Sequence, residues 1–149
     1  MVLIALLFSM QVARGETTRL IVIVSSSQTV TDISASDLRA IYLGRLTRWP
    51  GRRAILPIIP SRHARGREAF IRRVVRMPEL DYAQHWIGLI FRGQAASAPL
   101  EAASTEQAAA FVAGHADAIA IVADVPAEKG VRILTVDGMA PDSAGYPLR

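Results

Sequence analysis

The chain has no cysteine, which excludes disulfides, thiolate metal sites and thiol nucleophiles. Lysine is nearly absent: Lys129 is the only one among 17 basic residues, and the rest are arginine. Arginine presents a planar fork that matches phosphate and carboxylate, whereas lysine is a compact point charge. Aromatic residues make up only 6% of a chain that is 51% apolar, so its core must be largely aliphatic. Histidine is scarce too. His63, His85 and His115 stand apart without ligand spacing, and no nearby carboxylate pair completes a site, so neither a metal nor another cofactor is expected. The nucleophile elbow G-x-S-x-G, the phosphate loop G-x-x-x-x-G-K-[ST] and the dinucleotide fingerprint G-x-G-x-x-G are missing. The apolar run at the N-terminus is shorter than the roughly 20 residues that cross a bilayer.

What remains is a chain of 149 residues, the length of one domain, long enough to bury a real core. Its first residues read as a targeting signal. Positions 2–10 are apolar, and Ala13, Arg14 and Gly15 place small residues around a cut before Glu16. The expectation is an exported, periplasmic protein, with residues 1–15 as signal peptide and 16–149 as the domain. The competing reading is a buried first strand or helix.

Residues 19–24 end in the run L-I-V-I-V, which predicts a strand buried on both faces. Ser25, Ser26 and Ser27 follow it, either as hydroxyls aimed at a ligand oxygen or as an ordinary polar loop. Ser34 with Asp37 forms a capping-box pattern for a helix carrying Leu38, Ile41 and Tyr42 on one face, which stops at Gly44. A short strand over 55–59 contains Pro57, which suggests an edge or irregular strand. A helix is expected over 63–76 with Phe70, Val74 and Met77 inward, and with Arg67, Arg72, Arg73 and Arg76 outward or toward the turn. Another is expected over 79–91 with Tyr82, Trp86, Leu89 and Ile90 at core spacing. Positions 94–103 read as a loop. Ser104 caps a short helix that ends at Gly114. Residues 118–123 and 131–136 read as strands, and 138–149 as a loop. Strands alternating with helices predict an α/β fold with a mixed or parallel sheet.

Charge is unevenly placed. Between Arg45 and Arg76 there are ten arginines and one acid, Glu68. Ser61, Arg62, Arg65, Gly66 and Arg67 sit where a strand gives way to a helix. Backbone N–H groups, a hydroxyl and guanidinium groups can converge there on a small anion. The same arginines fit a nucleic acid less well, because only Trp49 and Phe70 are aromatic among them and the leader points out of the cytosol.

The segments D-L-R-A-I-Y-L-G-R-L-T-R-W-P, A-I-L-P-I-I-P-S, R-E-A-F and H-W-I-G-L-I-F-R-G, followed by a helix and A-I-A-I-V, occur in this order over about 19–122. This resembles the phosphate-type solute-binding proteins of ABC transporters, and more closely their short stand-alone relatives. The resemblance implies a single lobe of a type II periplasmic-binding-protein fold, exported and without catalytic activity. The family's phosphate turn reads Ser-Gly-Thr before Arg-Glu-x-Phe. Ala64, Arg65 and Gly66 stand there in this chain, so both hydroxyls are replaced. The stretch Gly-Ala-Ile-Gly-Tyr is here Asp117, Ala118, Ile119, Ala120 and Ile121.

Three readings follow. The first is weak binding of phosphate or sulfate by Ser61, Arg62, Arg65, Gly66 and Arg67, with Ser25, Ser26 and Ser27 contributing, linked to ABC transport or sensing. The second is a ligand-free interaction module whose partner is a permease, a membrane sensor or a second copy in a homodimer. The third, a cytosolic nucleic-acid binder, requires the leader to remain uncleaved.

Overall fold

The computed structural model describes residues 17–149, so the segment expected to be a signal peptide, residues 1–15, lies outside the described residues. Its centre is a five-stranded mixed sheet in the order β4-β3-β5-β1-β6. The strands are β1 (Ile21–Ser25), β3 (Leu56–Pro60), β4 (Leu100–Ala102), β5 (Ala118–Val122) and β6 (Val131–Ile133). β3 runs parallel to both β4 and β5, while β1 is antiparallel to β5 and β6. Two short parallel strands, β2 (Asp32–Ile33) and β7 (Thr135–Val136), form a separate ladder.

Alternation along β1 divides the core. Leu20, Val22 and Val24 face one side with Ile59, Ile119 and Ile121; helix α1 (Ala35–Tyr42), helix α2 (Arg67–Phe70) and helix α3 (Glu79–Phe91) cover that side. Ile21 and Ile23 face the other with Ala118 and Ala120, covered by helix α4 (Thr105–Gly114) through Ala108, Ala109 and Val112. The unbroken apolar run of β1 thus reflects burial on both faces, although its neighbours are antiparallel to it.

The helix starts follow the sequence closely. Ser34 accepts from the Asp37 N–H at 3.0 Å, and Ser104 accepts from the Gln107 N–H at 3.1 Å. At the second start Gln107 Oε1 also reaches back past the cap and accepts from the N–H of the preceding residue, Ala103, at 2.6 Å.

Other expectations need correcting. The strand with Pro57 is internal rather than at an edge. It tolerates the proline because Pro57 pairs only with β5, at Ile119, and β4 joins one residue later, at Ile58. The Leu56 N–H goes to Asp117 on the β5 side, so alternation turns position 57 toward the side where β4 has not begun. The loop read over 94–103 contains β4. The last strand breaks at Leu134 into β6 and β7, which belong to different sheets. The expected helix over 63–76 begins four residues later. Gly66 caps α2 with φ +92°, and α2 continues as a π-helical segment, Ile71–Val75, closed by Arg76 at φ +55°. Ile90 of α3 is exposed rather than core, with Leu80, Ile87 and Phe91 also exposed.

Candidate functional site

Residues 61–66 make the turn between β3 and α2. Its shape is set by internal bonds: the Ser61 N–H donates to Ala102 at 2.8 Å, the Ala64 N–H to Ser61 at 2.9 Å, and the Arg67 N–H to Ala64 at 3.2 Å. The N–H groups of Arg62, His63, Arg65 and Gly66 find no acceptor among the described residues. Gly66 is required by space as well as by φ. A Cβ there would stand 3.1 Å from Ala123 Cβ and 3.3 Å from Leu20 Cδ2, so the turn lies directly against the end of the sheet.

The arginines of this turn are not free. Arg67, expected outward or toward the turn, is 8% exposed and takes the second of these places. Its Nη2 donates to Glu79 Oε1 at 2.5 Å, its Nε to the same carboxylate at 3.1 and 3.3 Å, and its Nη1 to the Pro60 carbonyl at 2.7 Å. Glu101 Oε1 stands a further 3.6 Å from Nη1, and the guanidinium lies 5.9 Å from the centre of the Phe70 ring. Arg67 therefore acts as an internal strut joining β3, α2 and α3. Arg65 Nη1 is 2.7 Å from Asp124 Oδ1, in a pair open to solvent on both sides. Arg62 Nε lies 4.0 Å from Glu79 Oε1, at the limit of an ion pair. A depression of about 250 Å³ beside the turn is lined by Arg62 and Arg67 but also by Glu79 and Glu101, so its formal charge balances. On the other side of the turn, beside Arg65 and Ser104, only about 10 Å³ is open, room for roughly one water molecule.

Ser25, Ser26 and Ser27 do not join this site. β1 is antiparallel to β3 and β5, so its C-terminal end lies where those strands begin, and the turn lies where β3 ends. The three serines serve local structure instead. Ser25 is 3% exposed, its Oγ is 2.9 Å from Ser27 Oγ, and the Ser26 N–H donates to Gly130 at 2.9 Å. Asp117 likewise begins β5 at the far end. It holds Trp49 Nε1 through its carbonyl at 2.9 Å and Arg53 Nη2 through its carboxylate at 2.8 Å. Of the two positions where glycine is replaced, Ala120 packs toward α4 inside the sheet and Asp117 precedes β5 at the far end, so neither lies at the turn.

No group of three metal-ligating side chains occurs among the described residues, and no helix there is long and apolar enough to cross a membrane. Comparison with solved structures decides the architecture. An ABC-type phosphate transport receptor from Vibrio cholerae superposes with a TM-score of 0.60 at 18% identity, over 83% of this chain and 48% of the receptor. A putative phosphate ABC transporter substrate-binding protein with bound phosphate from Clostridium perfringens gives 0.65 at 18% identity, over 83% and 46%. This chain shares the fold of phosphate-transport receptors. PstS from Borrelia burgdorferi agrees, with a TM-score of 0.64 at 19% identity over 83% of this chain and 49% of PstS. The chain spans about half the length of the receptors it matches. All three are named as transport receptors or binding proteins rather than enzymes. No family model matches the sequence, and no curated protein does.

The half-buried Arg67–Glu79 pair escaped the sequence reading because its partners are twelve residues apart on different helices, a spacing that no local pattern marks. A basic residue two places from the apolar pair Ala69-Phe70 was the only trace of it.

Proposed function

We propose that this chain is an exported, non-enzymatic solute-binding domain that holds phosphate or another small oxyanion weakly, in service of ABC transport or sensing. The observation that supports this best is the turn 61–66: four amides without acceptors, the Ser61 hydroxyl and two solvent-exposed guanidiniums, in a fold shared with phosphate receptors. The anion would meet Ser61, Arg62, Arg65 and Gly66 directly, with Arg67 behind them fixing the turn. Glu79 and Asp124 already occupy the guanidiniums, and an incoming anion must compete with them. Solvent-exposed pairs contribute about 0–1 kcal/mol each. Affinity in the millimolar range follows, about −4 kcal/mol. An NMR titration with phosphate and with sulfate, at two sodium chloride concentrations, tests this. Amide shifts should concentrate at 62–66, saturate in the millimolar range and weaken with salt. Micromolar affinity, indifference to salt, or shifts lying elsewhere would contradict it.

A specific observation favours a second reading, in which the chain pairs with a second copy of itself. Leu80, Ile87 and Phe91 form one stripe on α3 and are 64%, 65% and 90% exposed. Asp81 lies at one end of the stripe and Arg92 just beyond the other. Two such helices packed antiparallel about a two-fold axis set each acid near the partner's Arg92, so the face is self-complementary. Light scattering should then show a dimer that Ile87→Asp converts to monomer. A monomer at high concentration would remove this reading and leave the first untouched.

A further inference from the structure

We propose a second oxyanion site, distinct from the turn, in the cavity that Arg39, Arg73 and Arg76 line at the far end of the helix that starts at Gly66. The cavity holds about 460 Å³ between the start of α1 and the end of the π-helical segment, with Leu38, Val74 and Leu148 as its apolar wall. Its charge is not compensated as it is at the turn. None of the three arginines is within ion-pair distance of a carboxylate among the described residues. The one acid in the lining, Asp137, already accepts from the Ala35 N–H at 3.0 Å. The lining thus carries three positive groups against one negative, where the depression at the turn carries two against two.

Each guanidinium is anchored by a carbonyl and keeps other N–H groups unused. Arg39 Nε donates to Val75 at 3.1 Å, leaving both of its terminal nitrogens. Arg73 Nη1 donates to the carbonyls of Thr18 and Leu148, leaving Nε and Nη2. Arg76 Nε reaches the Arg73 carbonyl at 3.4 Å and also leaves both terminal nitrogens. Carbonyl acceptors orient a guanidinium without neutralising it, so the side chains are ordered in advance and their charge stays available to a ligand. Burial and the neighbouring Arg72 both pull the Arg73 pKa down, a penalty that a bound anion would relieve.

The chemistry selects a small polyanion. A single phosphate has oxygens enough for three guanidiniums but fills only a small part of the roughly 460 Å³ between α1, the π-helical segment and the residue that closes it. A compound with two or more phosphate or carboxylate groups suits their number and the volume. This site stands whether or not the turn binds an anion.

Isothermal titration and NMR with pyrophosphate, citrate and single phosphate, on the wild type, Arg76→Gln and Arg65→Gln, test the proposal. Arg76 is exposed and its side chain lies outside the core, so Arg76→Gln should fold, which circular dichroism checks. Pyrophosphate or citrate should bind at least about tenfold more tightly than phosphate, with shifts at Ser36, Arg39 and Arg73. Arg76→Gln should weaken that binding about tenfold, one charged contact's worth, while Arg65→Gln leaves it within twofold. The site is overturned if neither polyanion binds more tightly than phosphate, if Arg65→Gln rather than Arg76→Gln weakens the binding, or if shifts spread over all exposed arginines. It is also overturned if Arg76→Gln binds as well as the wild type, which would leave these arginines as carbonyl anchors only.

Discussion

Glu79 links the stability of this protein to its affinity for anions, and Glu79→Gln separates the two. In the native structure the Arg67 side chain is 10% exposed and the Glu79 side chain 35% exposed, with a 2.5 Å contact between them. Removing one partner from a fully buried ion pair costs about 3–5 kcal/mol, because a desolvated charge is left alone. Three features lower that figure here. Glu79 is partly solvated, Glu101 remains 3.6 Å from Arg67, and the Pro60 carbonyl still accepts at 2.7 Å. Glutamine also keeps one acceptor oxygen. The expected loss is therefore about 1–2 kcal/mol, with charged hydrogen bonds taken at about 1.5–3 kcal/mol each. Urea unfolding followed by tryptophan fluorescence measures it. Phosphate affinity should move the opposite way, because the same substitution withdraws the carboxylate nearest Arg62. A gain of up to about 1 kcal/mol corresponds to roughly fivefold tighter binding. Unchanged stability would show that Glu79 does not hold Arg67. Unchanged or weaker phosphate binding would show that the anion does not meet the guanidiniums Glu79 occupies.

Gly66→Ala should cost about 1–3 kcal/mol, since φ is +92° and the new Cβ would press on Ala123; thermal unfolding measures it, and a neutral result would mean the turn can shift away from the sheet. Asp32 is held below the usual carboxylate range, first by the Thr135 hydroxyl and then by the Gly138 N–H. Its folded pKa is lower than its unfolded one, so its contribution is complete above about pH 4 and is lost as pH falls through the folded value. Melting temperatures between about pH 2 and 5 should consequently fall less steeply in Asp32→Asn than in the wild type. Burial raises the hydroxyl pKa of Tyr42 and Tyr146, and pushes Tyr82 up to about 12. These groups support the fold fully below about pH 10 and lose that support as pH climbs toward the folded values. Phenolate absorbance should show no tyrosine ionising near pH 10 before the protein unfolds. A native-state titration there would contradict the burial.

Local chemistry was readable where it acts over three or four residues. Ser34 and Ser104 announced their helices, and Gly44 and Gly114 their ends, because caps and stops are decided by neighbours in the chain. The apolar run of β1 showed that the strand is buried but said nothing of its direction, since a strand enclosed on both faces has the same composition in either orientation. Pro57 misled because the missing N–H is tolerated by a one-residue offset between β4 and β5, a property of the register rather than of the residue. At the candidate site the turn and its basic residues were legible. The neutralising acids were not, since Glu79 and Asp124 lie 12 and 59 residues from the arginines they bind. Tyr146 and Leu148 sit in a tail with loop composition and yet are buried, because the Leu20 N–H bonds the Leu148 carbonyl and draws that tail over the core.

The pairing of β1 with β5 joins Ile21 to Val122 and Val24 to Ile119, and β6 closes its other side. A ribosome adding about 5–20 residues per second makes the intervening stretch in roughly 5–20 s. Throughout that interval a strand that is buried along its whole length has been synthesised while both neighbours that will pair with it have not. A newborn chain must therefore keep that segment from pairing with strangers, by holding it in a chaperone or by delaying collapse until its last third is complete.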